Sequence, residues 1–198
     1  TLVMPIFLST LPDRELLSGL AEMLKYGFIA DASMLQIAPN NYEQCLLRAG
    51  RIKRDIVERD FSEQGCRKVL NFGHTIGHAM ESVAHSTANP LTHGEAVAIG
   101  MWCALWISVR QCGLAETVLH DYEEKLHWLL SKATLSFSEI DIPAVLRYIG
   151  HDKKNRGGEV QWVLLPALGQ PQYDAKVPEA LVRQCMAECL AMTNKWIG

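Results

Sequence analysis

Apolar residues recur at helical spacing through most of the chain. Leu16, Leu17, Leu20, Met23, Leu24 and Phe28 form one such stripe. Ahead of it, Thr10 is placed to cap a helix, Pro12 suits a first turn, and Asp13 and Glu15 favour the positive end of the helix dipole. "NYEQCLLRAGRIKRDIVERD" predicts a second helix with Leu46, Leu47, Ile52 and Ile56 inward. A loop or tight turn around Gly65 follows, then a third helix from Leu70 to Ala84 with Ile76, Met80 and Val83 on its apolar face. "HSTANPLT" has loop composition. His93 to Arg110 is apolar nearly all round, the pattern of a helix in the middle of a bundle. Glu116–Lys132, Pro143–Gly150 and Pro178–Ile197 predict further helices. "EVQWVLLP" reads as a strand, and "QYDAKV" can pair with it across "ALGQP". The chain opens on a short extended stretch with no cap and no preceding turn. The fold class is therefore mainly α: a multi-helix domain with one small β-hairpin near the C-terminus.

Composition narrows the function. Of 198 residues, 48% are hydrophobic and 21% charged, enough apolar surface for a real core. A net charge of −3 argues against a nucleic-acid partner. The longest apolar run, Ala96–Ile107, falls short of the roughly 18 residues that span a bilayer, so no membrane role is expected. The six cysteines include no C-x-x-C pair; Cys185 and Cys189 share a helix face as small apolar side chains, and a reducing cytoplasm is expected. No G-x-G-x-x-G follows a strand, so the chain carries no dinucleotide fingerprint of its own. Its abrupt start reads as a domain cut from a longer protein.

The candidate chemistry centres on "NFGHTIGHAMES" and "HGEAVAIGM". His74 and His78 lie one helical turn apart, a spacing that lets two imidazoles reach one ion. Such a pair also fits a solvated polar face; a third ligand from another element decides between them. His93, Glu81, His85 and Glu22 are the candidates, and such a donor set suits zinc or iron. Gly73, Gly77, Gly94 and Gly100 each cost a helix about 1 kcal/mol against alanine, which points to close packing near the histidines. Ser18, Glu22 and Lys25 form a polar stripe on an otherwise apolar helix, and Lys53, Arg67 and Lys153–Lys154 add positive charge. Several cations together suit an anionic substrate.

The blocks "LPDRELLSGLAEMLKYG", "RIKRDIVERD", "LNFGHTIGHAMES", "HGEAVAIGM" and "HDKKN", in this order, closely resemble 3-dehydroquinate synthase of the shikimate pathway. The resemblance spans nearly the whole chain and corresponds to that family's C-terminal, largely helical domain. It implies that residues 1–198 form a metal- and substrate-binding domain, with the NAD-binding Rossmann-like domain absent from this chain. It also implies a zinc or cobalt ion held by Glu22, His74 and His93, which takes His78 out of the ligand set and makes it a proton-transfer residue. Glu63 matches a second acid/base position, and Lys25 a catalytic one. Lys25, Lys53, Arg67, Asn71 and Lys153 resemble the residues that hold the substrate, a phosphorylated sugar acid; Lys154 is adjacent to the last. Phe7, Thr10 and Ser18 match positions that touch NAD. The implied reaction converts 3-deoxy-D-arabino-heptulosonate 7-phosphate into 3-dehydroquinate and phosphate. It proceeds by oxidation, phosphate elimination, reduction and intramolecular aldol closure, in a homodimeric enzyme. This chain alone would bind metal without turnover. Two departures stand out: Asp60-Phe61 where an acidic pair is usual, and Met4 where aspartate is usual. A related sugar-phosphate cyclase, an iron-dependent alcohol dehydrogenase and a non-catalytic zinc-stabilised helical module are the competing classes.

Overall fold

The computed structural model describes residues 4–38, 40–133, 140–155 and 160–196, with the side chains of 152–155 and 193–196 left outside the description. Seven α-helices, α1 Asp13–Ile29, α2 Tyr42–Arg59, α3 His74–Ala84, α4 His93–Cys112, α5 Glu116–Leu129, α6 Ile142–Asn155 and α7 Glu179–Trp196, are joined by a hairpin of β1 Trp162–Ala167 and β2 Gln170–Ala175. The fold is mainly helical with one C-terminal hairpin, as the periodicity predicts. Among the described residues no helix is long and apolar enough to cross a membrane.

Helix α4 is the axis of the core. Every residue from Gly94 to Ser108 is buried, and α1, α3, α5, α7 and β1 all pack on it. Its first turn is closed by a capping box: the Glu95 backbone N–H donates to Thr92 Oγ1 at 3.3 Å, and the Thr92 N–H donates to Glu95 Oε2 at 2.8 Å. Gly113, with φ 77°, ends the helix in a left-handed C-cap. The polar groups trapped along it are satisfied. Tyr122 donates to the Ala98 carbonyl at 2.8 Å. Ser108 donates to the Ala104 carbonyl at 2.6 Å and accepts from the Leu165 N–H at 2.9 Å, tying the hairpin to α4. Cys103, Cys185 and Cys189 are buried between α4 and α7, as small apolar side chains.

Two close approaches fix the helices that carry the histidines. A Cβ on Gly100 would land on the Gly73 carbonyl oxygen, so α3 and α4 meet backbone to backbone. A Cβ on Gly94 would land on the Ser18 carbonyl oxygen, so α1 meets α4 in the same way.

Some local expectations are corrected. The third helix begins at His74, not Leu70: Cys66–Asn71 is a 3-10 helix and Gly73, at φ 80°, breaks the path before α3 starts. Within the opening stretch expected to be extended, Pro5–Thr10 forms a 3-10 helix, while residues 1–3 lie outside the described residues. Thr10 accordingly donates back to the Phe7 carbonyl at 3.2 Å, and the Pro12 carbonyl receives the first N–H groups of α1 instead. Helix α6 runs on to Asn155, past the expected Gly150. The hairpin turn is tighter than expected, Leu168-Gly169 with Gly169 at φ 75°, which starts the second strand at Gln170.

Gly100→Ala is expected to cost at least about 2 kcal/mol, because backbone and not a flexible side chain blocks the new methyl. Gly19→Ala, on α1 with nothing within 4 Å of its added carbon, is expected to stabilise by about 0.5–1 kcal/mol. Thermal denaturation of the two variants checks the contrast.

A candidate metal centre beside a cationic pocket

Three helices bring their polar atoms to one point. Glu22 lies in the second half of α1's polar stripe, while His74 and His93 are the first residues of α3 and α4. Glu22 Oε1 lies 3.4 Å from His74 Nε2 and 3.4 Å from His93 Nε2. The other ring nitrogens are engaged: His74 Nδ1 faces the Phe72 carbonyl at 3.1 Å, and His93 Nδ1 faces Glu81 Oε2 at 2.9 Å. A carbonyl and a carboxylate only accept, so in a neutral ring the proton belongs on Nδ1 and Nε2 is left with a lone pair on the side of Glu22. Glu22 Oε1 is buried without a hydrogen-bond partner. Two ring nitrogens converging on an orphaned buried carboxylate oxygen fit a divalent cation of the zinc type.

His78 sits beside this set. Its ring centroid is 5.0 Å from that of His74 and 5.7 Å from that of His93. One ligand atom each of His74, His78 and His93 lie within 4.8 Å of one another, so a three-imidazole set overlaps the carboxylate set.

The other Glu22 oxygen, Oε2, takes a 2.8 Å bond from the Lys25 ammonium, which is only 3% exposed. Burial favours the neutral form of Glu22, but the Lys25 ammonium, through its charge and its hydrogen bond, works against burial and favours the carboxylate. Burial works the other way on Lys25 and pulls its pKa down, against the pull of Glu22. The neighbouring Tyr26 phenol is pushed up to about 12 by burial and by Glu22.

Beside the convergence point lies a cavity of about 280 Å³ that gathers Lys25, Lys53, Glu63, Arg67 and Asn71 with Glu22, His74 and His93. Glu63, Asn71 and His74 also wall a second cleft of about 530 Å³, where His78, Lys68 and Tyr173 face them. Glu63 has a left-handed backbone, φ 56°, and accepts from Asn71 Nδ2 at 2.8 Å. Asp60 holds this loop: its carboxylate accepts from the backbone N–H groups of Gln64 at 3.1 Å, Gly65 at 2.8 Å and Arg67 at 3.0 Å. The Arg67 N–H, followed by those of Gly65 and Gln64, accordingly lowers the Asp60 pKa.

Of the residues singled out in the sequence, Phe7, Thr10 and Ser18 line neither cavity. Phe7 is 68% exposed, and Ser18 Oγ accepts from the Gly94 N–H at 3.0 Å. The Lys153 side chain lies outside the described residues. Three groups went unremarked in the sequence. Tyr26 is a wall of the smaller cavity. Lys68 bonds both oxygens of Asp174, at 2.9 and 2.8 Å, across 106 positions of sequence. Arg14 pairs with Glu95 at 2.7 Å. For Tyr26 the signal was adjacency to Lys25; the other two are long-range pairs without a local pattern.

The helical arrangement recurs in solved structures. One is 2-epi-5-epi-valiolone synthase from Streptomyces hygroscopicus subsp. jinggangensis 5008, with NAD+ and Zn2+ bound, at TM-score 0.77 and 23% identity, covering 94% of this chain and 54% of that one. Another is 2-deoxy-scyllo-inosose synthase complexed with carbaglucose-6-phosphate, NAD+ and Co2+, at TM-score 0.71 and 25% identity, covering 91% of this chain and 54% of that one. The chain thus shares the fold of these two synthases over about half of their length. Residues 19–155 match the model of the 3-dehydroquinate synthase C-terminal domain, and the chain belongs to that family. It is 35% identical over 195 residues to the 3-dehydroquinate synthase of Chlorobaculum parvum, covering 90% of this chain and 53% of that protein. It is 38% identical over 191 residues to that of Desulforamulus reducens, covering 87% and 50%. The chain thus spans about half the length of the curated relatives it matches.

Asp60→Ala is expected to release the loop that presents Glu63 and Arg67. Amide hydrogen exchange at Gln64, Gly65 and Arg67 should then quicken by on the order of 10-fold, with the core of α4 unchanged.

Proposed function

We propose that this chain is the metal- and substrate-binding part of a 3-dehydroquinate synthase. The whole enzyme would turn 3-deoxy-D-arabino-heptulosonate 7-phosphate into 3-dehydroquinate and phosphate. The observation that carries this is the lone-pair convergence of Glu22, His74 and His93 next to a cavity holding Lys25, Lys53 and Arg67. A divalent cation, zinc or cobalt, would be held by Glu22 Oε1, His74 Nε2 and His93 Nε2, and would supply Lewis acidity that eases loss of a substrate proton. NAD would supply reversible hydride transfer, its main site belonging to the other half of the relatives' length, with Phe7, Thr10 and Ser18 as this chain's contribution. On that reading this chain alone binds metal without turnover.

The chain's own residues then divide the work. Lys25, Lys53, Arg67 and Asn71, together with Lys153, grip the substrate's carboxylate, hydroxyls and phosphate, and the cations stabilise phosphate as it departs. His78, in the wider cleft beside His74, exchanges a proton near that leaving group. Glu63, which accepts from Asn71 and has a left-handed backbone, would serve as the second acid/base. All six cysteines are free, which fits the cytoplasm. A homodimer and a phosphorylated sugar acid as partner belong to the same proposal.

Metal analysis after dialysis should find about one zinc per wild-type chain. Glu22→Ala, His74→Ala and His93→Ala should each lose it, and His78→Ala should keep it. Undiminished zinc in the first three would refute the ligand set. Zinc kept by Glu22→Ala but lost by His78→Ala would transfer the site to the three imidazoles. Calorimetric titration with the sugar phosphate should show binding at least about 10-fold weaker for Arg67→Ala, the loss expected for a charged hydrogen bond.

A further inference from the structure

We propose that Arg14 and Glu95 are positioning residues that set the separation of two metal-bearing helices, and through it the affinity for the metal. This rests on the ligand set proposed above. Arg14, Ser18 and Glu22 stand four residues apart on α1 and face the first turn of α4 in succession. Arg14 meets Glu95 through Nε to Oε1 at 2.7 Å and through its terminal nitrogen to Oε2 at 2.7 Å. The same terminal nitrogen donates to the Pro90 carbonyl at 2.8 Å, ahead of the turn. Ser18 Oγ receives the Gly94 N–H at 3.0 Å, and Glu22 Oε1 faces His93 Nε2 at 3.4 Å. One side of α1 therefore holds residues 90, 93, 94 and 95 at three heights.

Glu95 does more than cap α4. A capping box needs only the carboxylate's bond to the Thr92 N–H, which a glutamine could keep. Here the carboxylate is 2% exposed and forked onto a guanidinium from another helix. A buried carboxylate is strongly disfavoured unless paired, so Arg14 and Glu95 hold each other in one geometry. Gly94, lacking a Cβ, lets the two backbones touch, and the fork together with the Ser18–Gly94 bond opposes sliding of α1 over α4. Sliding would change the Glu22–His93 separation directly.

The test measures zinc affinity by competition with a chromophoric chelator, the melting temperature of the metal-free chain, and the visible absorption of bound cobalt. Arg14→Gln and Glu95→Gln should weaken zinc by about 10- to 100-fold, the range typical of partners that orient ligands, and dim the cobalt bands. Arg14→Lys, which keeps the charge without the fork, should fall between them and wild type. Thr92→Ala breaks the cap alone; it should lower the melting temperature and leave zinc affinity unchanged. Should either single variant fail to fold, the Arg14→Gln/Glu95→Gln pair removes both charges together and should show the same loss of affinity. Wild-type zinc affinity in folded Arg14 and Glu95 variants, with Glu22→Ala still defective, would overturn this proposal alone. Zinc held by Glu22→Ala as tightly as by wild type would overturn the ligand set, and this proposal with it.

Discussion

Three acceptor atoms that face one another in a half-buried site repel unless something positive lies between them. Glu22 Oε1, His74 Nε2 and His93 Nε2 are in that position, and the two imidazoles are fixed in it by what their Nδ1 atoms touch. The Phe72 carbonyl and Glu81 use up the ring protons, so the lone pairs have nowhere else to point. Lys25 balances the second oxygen of Glu22 without occupying the shared point. The site is thus charged and shaped before any ligand arrives, which lowers the cost of filling it.

The rest of the fold serves that convergence. Helix α4 is buried almost throughout, and its first residue is a candidate ligand. Glycines at two crossings let α1 and α3 approach its backbone, so Glu22, His74 and His93 from three helices come within reach of one point. The cation-lined cavity opens beside the same point, and the loop pinned by Asp60 closes it with Glu63 and Arg67. The convergence point and the cation-lined cavity therefore share Glu22, His74 and His93.

Much of this was legible in the sequence, because helical period and motif are local signals. The stripe from Leu16 to Phe28 marked α1, and the three-residue spacing of Glu22 and Lys25 foretold a pair that the structure sets at 2.8 Å. The glycines near the histidines marked close packing, and the family blocks singled out the polar residues that now line one cavity. The break at Gly73 was not legible, since "LNFGHTIGH" reads as one helix and the close approach of Gly100 to the Gly73 carbonyl comes from a distant segment. Nor were the pairs that bridge distant segments. Arg14 and Glu95 are 81 positions apart, and Ser18 and Gly94 are 76 apart. Only folding tells that Ser18 receives an N–H from α4 or that Lys68 clasps Asp174 across the cleft.

The most direct measurement is anomalous diffraction at the zinc edge from crystals of this chain grown with zinc. One strong peak is expected, about 2.0–2.2 Å from Glu22 Oε1, His74 Nε2 and His93 Nε2 alike. A peak bound by His74, His78 and His93 with the Glu22 carboxylate turned away, or no peak among these four residues, would contradict the account.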